Sequence, residues 1–208
     1  MDGETTRDLA WEHAAASIID AGRRLDRRGW VPATAGNISV RLADGRIAIT
    51  RSGGHKGYLT HEHVIEIDID GCAVRAGDRP SAETGLHTQV YGRFPQIGAV
   101  LHGHSVAATV LSRATDGDAL YLEGYELQKA FAGQTTHLAR LRLPVFDNDQ
   151  DIARLARRIE PELHDCPMGY VLRGHGVYAW GEDMPTALAR HEALEFLLDC
   201  ELQHRKLR

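Results

Sequence analysis

The chain has 208 residues, 43% of them hydrophobic and 25% charged, a balance that allows one sizeable core, and it is expected to form a single domain over residues 1–208. A net charge of −5 and a pI near 6.2 argue against a nucleic-acid or general polyanion binder, which would carry a basic excess. Three scattered cysteines, a polar stretch after Met1 and the lack of a long apolar run point to a reducing, cytoplasmic setting with no membrane span.

Thr6 to Arg28 spaces Leu9, Ala14, Ile18, Ile19 and Leu25 at helical intervals, with Gly29 and Pro32 as stop signals, and predicts an amphipathic helix. Residues 34–50, TAGNISVRLADGRIAIT, alternate apolar and polar positions on both sides of Asp44-Gly45, a hairpin signal. The following loop, TRSGGHKG from Thr50 to Gly57, is either a mobile surface segment or an anion cradle of backbone N–H groups. Val64 to Asp70 alternates isoleucines with acids and reads as a half-buried strand. Ser81 to Phe94 reads as a helix with Ser81 as its N-cap. Glu83 then falls in the first turn, where an acid complements the helix dipole without further purpose.

Ile97 to Leu101 predicts a strand ending in HGH, and Ser105 caps the next helix, VAATVLSRA. LEGYELQKAFAG, up to Gly133, is assigned to no element, and its Glu123, Glu126 and Lys129 read as solvated. LRLPVFDNDQDIARLARRIE gives a short strand, an acidic turn and a helix ended by Pro161. GYVLRGHGVYAW reads as one strand, and a long helix runs from about Pro185, with Asp183 near its start. Strands interspersed with helices and joined partly by hairpins imply a mixed or antiparallel sheet covered by helices.

The chemistry concentrates on the histidines. A strand's period of two puts His102 and His104 on one face. A catalytic zinc commonly takes three protein ligands and keeps one position open, so a third is needed. His175, at the end of another apolar run and flanked by glycines, is the candidate; the alternative is a trio of histidines hydrogen-bonded in a core. His61 and His63 share the same spacing but lack the apolar run leading into them. The other histidines lie in helices or polar loops.

TAGNIS, ITRSGGHKG, PSAET, AVLHGHS and LRGHGVYAWG, in this order and at this spacing over nearly the whole chain, resemble the class II aldolase and adducin superfamily. The resemblance implies a three-layer α/β/α fold with a mostly antiparallel central sheet, a catalytic Zn²⁺, and a homotetramer with active sites near subunit interfaces. It makes His102, His104 and His175 the zinc ligands. Asn37, Ser52, Gly53 and Ser81 match positions that hold a substrate phosphate, and Lys56 is added as a cation of the same loop.

Within the superfamily, YELQKAFAG followed by LPVFDNDQDIA is most similar to the dehydratases of a 5-methylthio pentulose 1-phosphate in methionine salvage. That likeness implies a hydro-lyase, with Glu126 at the acid/base position. Glu83 matches the catalytic base of the sugar-phosphate aldolases, so retro-aldol cleavage or 4-epimerisation stays open, as does an adducin-like interaction module without metal.

Overall fold

The protein is described by a computed structural model covering residues 2–131 and 133–208. The N-terminal helix α1 spans Asp2–Arg27. Gly29 ends it with φ 73°, a left-handed conformation that glycine adopts without a Cβ clash. The Trp30 N–H then reaches back to the Leu25 carbonyl at 3.0 Å, the closure expected of such a stop. β1 (Asn37–Arg41) and β2 (Ile47–Thr50) form the hairpin around Asp44-Gly45, with Gly45 at φ 85°.

After β3 (Val64–Ile67) come α2 (Thr84–Arg93), β4 (Ala99–Gly103) and α3 (Val106–Arg113). Ser105 caps α3 as expected, accepting from the Ala108 N–H at 3.0 Å. β5 (Ala119–Leu122) is followed by a short 3₁₀ turn, Glu126–Ala130, over the segment assigned to no element. β6 (Leu141–Phe146), α4 (Ile152–Ile159), β7 (Tyr170–Leu172), β8 (Val177–Gly181) and α5 (Met184–Lys206) complete the chain. Asp183 caps α5 by accepting from the Thr186 N–H at 2.8 Å, with Pro185 in the first turn.

The described residues build one eight-stranded sheet in the order β3-β2-β1-β4-β8-β7-β6-β5. Every neighbouring pair is antiparallel except β6 and β7. On one face, Ile47, Ile49, Tyr170 and Tyr178 pack against Leu86 and Val90 of α2 and Leu155 and Ile159 of α4. On the other, Ile38, Ala48 and Leu101 meet Ile18 and Leu25 of α1, while Val171, Val177 and Ala179 meet Leu111 of α3 and Leu194, Leu197 and Leu198 of α5. The result is the α/β/α sandwich that the resemblance implies, with β4 in the middle of the sheet.

Two local expectations change. GYVLRGHGVYAW is not one strand but a tight hairpin, β7 paired antiparallel with β8. The apolar residues at its two ends pair with each other, and RGHG turns the chain: the Leu172 N–H donates to the Gly176 carbonyl at 2.9 Å and Gly174 takes φ 66°. His175 therefore rides on a turn rather than along a strand. Ser81 does not cap α2, which starts at Thr84 with Glu83 as the residue before it. The Ser81 hydroxyl instead accepts from the Asn37 amide at 3.1 Å. Glu83 lies outside the first turn and is free to point elsewhere.

Candidate metal centre and active site

β4 and β8 lie side by side in the sheet, with His102 opposite Tyr178. The hairpin turn between β7 and β8 thus falls next to the end of β4. That register brings His175 to His102 and His104, and one nitrogen from each ring lies within 4.8 Å of the others. Gly176 permits the approach, because a Cβ there would collide with the Gly103 carbonyl and crowd the His102 ring. His61 and His63, the rival pair, are taken up otherwise: His61 Nε2 lies 3.0 Å from Glu12, and His63 Nδ1 accepts from the Thr60 N–H at 3.1 Å.

The three rings suit a metal. His102 is fully buried and its Nδ1–H donates to the Val177 carbonyl at 2.9 Å. This fixes the tautomer and leaves a lone pair on Nε2, which is buried and has no hydrogen-bond partner among the described residues. Such an orphan is costly unless something else occupies it. His175 Nδ1 lies 3.3 Å from the side-chain oxygen of Asn148, which orients that ring in the same way. Burial holds His102 well below the ordinary histidine pKa, aided by its two histidine neighbours. Burial, then His175 and Lys56, lowers His104 to about 4. Neutral imidazoles offering lone pairs to a common point are what a borderline cation such as zinc takes.

Glu83 stands beside the trio, with Oε2 3.4 Å from His102 Nε2 and Oε1 3.1 Å from His175 Nε2. Its Oε2 also accepts from the Asn37 amide at 2.7 Å. The cleft that opens here has a volume of about 450 Å³. Asn37, Ser52, Gly53, Lys56, Ser81 and Glu83 all line it together with His104 and His175. Three separate segments, the end of the first turn before β1, the glycine-rich loop and the loop before α2, thus converge on one hollow. Lys56 is buried, donating to the carbonyls of Thr34 at 2.8 Å and Gly54 at 2.7 Å. Burial lowers its pKa to about 8, against the opposing pull of Glu83.

Glu126 does not line this cleft. Its carboxylate is exposed on the 3₁₀ turn after β5, accepting from Lys129 Nζ at 2.5 Å with His137 3.7 Å away, and Lys129 lowers its pKa. Sequence reasoning overlooked Arg51 and Asn148, both in the cleft wall. Asn148 was hidden in an acidic turn, and only the parallel pairing of β6 with β7 brings it to the histidine hairpin. A larger cavity of about 690 Å³ opens elsewhere, lined by Val106, Leu127 and Phe196 among others, and contains none of the three histidines.

The family profile of the class II aldolase and adducin N-terminal domain matches residues 16–202. The methylthioribulose-1-phosphate dehydratase of Gluconacetobacter diazotrophicus is 67% identical over 197 residues, 95% of this chain and 96% of its own. That of Pseudomonas paraeruginosa is 57% identical over 195 residues, 92% of this chain and 95% of its own. Among solved structures, L-fuculose-1-phosphate aldolase from Thermus thermophilus superposes with a TM-score of 0.72 at 27% identity, covering 93% of this chain and 94% of that one. YgbL from Klebsiella pneumoniae does so at 0.81 with 23% identity, covering 93% and 90%, a likeness of fold.

Proposed function

The chain belongs to the class II aldolase and adducin family, and we infer that it is a hydro-lyase converting 5-methylthioribulose 1-phosphate to 5-methylthio-2,3-dioxopentyl phosphate, a step of methionine salvage. The observation that carries the reading is its near-full-length likeness to dehydratases of that name. The metal is zinc, held by His102, His104 and His175. Zinc bound there would act as a Lewis acid on the C2 carbonyl oxygen, acidifying the C3 proton and stabilising the charge left when that proton departs.

The protein's own groups do the rest. Lys56 and Arg51 supply positive charge at the cleft, and Ser52, Ser81 and the Gly53 N–H supply donors for the substrate phosphate, while Asn37, whose amide protons go to Ser81 and Glu83, lines the wall. These contacts set the register, so that C3 and C4 face the acid/base group. Glu126 takes the proton from C3 and returns one to the C4 hydroxyl, whose C–O bond breaks to release water. The enol that remains tautomerises to the 2,3-diketone.

Since Glu126 stands at the surface, it reaches the cleft of a neighbouring copy in a homotetramer. The next residue, Leu127, lines a cavity with Val106 and Phe196, and the exposure of all three apolar side chains supports burial of that region in an assembly. Glu83, hydrogen-bonded to Asn37 and adjacent to two of the histidines, shapes the metal pocket. Its placement is also what an aldolase base requires, and this favours retro-aldol cleavage as the second reading.

Two variants separate the readings. Glu126→Gln keeps size and removes proton transfer, and should lower kcat by at least about a hundredfold at nearly unchanged KM; Glu83→Gln should cost less. Each is followed both by diketone formation and by release of two- and three-carbon fragments. An active Glu126→Gln, a dead Glu83→Gln and fragments from wild type would make the chain an aldolase.

A further inference from the structure

Behind Glu83 a line of buried polar groups runs into the sheet's core. Ser39, His87, Tyr91 and Asn37 are all at most 3% exposed, and each touches the next. The Tyr91 hydroxyl is 2.8 Å from Ser39 Oγ, Ser39 Oγ is 2.7 Å from His87 Nδ1, and His87 Nε2 meets Asn37 Oδ1. Asn37 Nδ2 completes the line at Glu83 Oε2 and Ser81 Oγ.

Hydrogen-bond capacity gives this line only one polarity. Asn37 Nδ2 lies within hydrogen-bond reach of both Ser81 Oγ and Glu83 Oε2, so the amide NH₂ faces Glu83 and the amide oxygen faces His87. His87 then has to carry its proton on Nε2. Its Nδ1 becomes the acceptor, Ser39 donates to it, and Tyr91 donates to Ser39. Burial lowers the His87 pKa to about 3, in keeping with a neutral ring. With Asn37 turned the other way, the amide oxygen would oppose the carboxylate and His87 would lose its acceptor, leaving unsatisfied groups in a dry interior.

We propose that His87 is a positioning residue of the active site: as the Nε2–H tautomer it locks the Asn37 amide, and through it holds the Glu83 carboxylate against His102 and His175. This deepens the functional reading above and rests on it for the meaning of turnover, but the hydrogen-bond polarity itself needs no substrate. Tyr91 and Ser39 serve as the far anchors. Asn37 is thereby both a wall of the substrate cleft and the last link of a fixed chain.

The test has two arms. In protein labelled with ¹⁵N-histidine, with His87→Phe used for assignment, the His87 ring nitrogens are read by NMR at pH 7. The expected result is a neutral ring protonated at Nε2, and Ser39→Ala should leave that tautomer in place, because the Asn37 amide oxygen still requires a donor from Nε2. An imidazolium, or an Nδ1–H tautomer in the wild type, overturns the proposal whatever reaction the enzyme performs. In the second arm, His87→Phe should lower kcat by about three- to tenfold, as expected for one lost neutral hydrogen bond, with KM for the phosphorylated substrate changing less. His87→Gln, which can still donate to Asn37, should recover much of the loss. If His87→Phe folds and keeps wild-type kcat, or if both variants lose activity only in step with melting temperature, His87 is a packing residue.

Discussion

Raising the pH should weaken capture of the phosphorylated substrate, and the size of the effect follows from Lys56. Its ammonium gives two protons to the carbonyls of Thr34 and Gly54, which leaves a third for a ligand, and burial lowers its pKa to about 8. If the charged form binds the phosphate, the competent fraction of free enzyme is about nine-tenths at pH 7 and about one-tenth at pH 9, so kcat/KM falls about tenfold over that interval. A bound phosphate stabilises the ammonium and raises its pKa, so kcat itself stays nearly level and the loss appears in KM.

The sign in stability is the opposite of the usual lysine case. The folded-state pKa lies below the ordinary 10.5, so the unfolded chain binds more protons between about pH 8 and 10.5, and the Lys56 contribution to unfolding free energy rises with pH through that window. The assay is the pH profile of initial rates for wild type and Lys56→Met. The variant should lose about tenfold or more in kcat/KM at pH 7, the worth of one charge-assisted contact, and should lack the alkaline limb. Its melting temperature should also fall, because two carbonyls lose their donor. A wild-type profile flat to about pH 9, or an unchanged alkaline limb in Lys56→Met, would refute the assignment.

His102→Ala and His175→Ala should each abolish turnover and remove one equivalent of zinc per chain, read by metal analysis, with far-UV circular dichroism retained; full activity in either variant or in demetallated protein would remove the site assignment. Ser52→Ala and Ser81→Ala should raise KM more than they lower kcat, because a phosphate contact made alike in ground and transition states is uniform binding; if neither changes any kinetic parameter, the cradle lies elsewhere. Mixing inactive Glu126→Gln with inactive His175→Ala, followed by subunit exchange, should restore part of the wild-type rate, since some interfaces then combine an intact Glu126 with an intact metal site. No recovery, despite hetero-oligomers on a native gel, would mean that each site draws on a single chain.

Much of this was legible from residue patterns because the relevant periods are short. The apolar run leading into His102 and His104, the Asp44-Gly45 turn, the Gly29 stop and the Ser105 and Asp183 caps all depend on neighbours within a few positions. What escaped depends on contacts distant in the chain. His175 sits on a turn because β7 and β8 pair with each other, and it meets His102 because β8 docks beside β4, a pairing no local pattern reports. Ser81 looked like a cap, yet Asn37, 44 positions earlier, holds its hydroxyl. Glu83 looked like a dipole partner, and only the packing of α2 against the sheet aims it at the histidines. His87 showed nothing but a helical position. The place of Glu126 is illegible for a further reason: its carboxylate stands on an exposed turn, where one chain does not say what it faces.

The central claim is loss of water without carbon–carbon cleavage. Zinc-loaded protein is incubated with 5-methylthioribulose 1-phosphate, and the product is characterised by mass spectrometry and ¹³C NMR. The expected product is a single phosphate with its five-carbon chain and methylthio group intact, lighter than the substrate by one water and bearing adjacent carbonyls at C2 and C3. Two- and three-carbon fragments, or a product of unchanged mass inverted at C4, would contradict it.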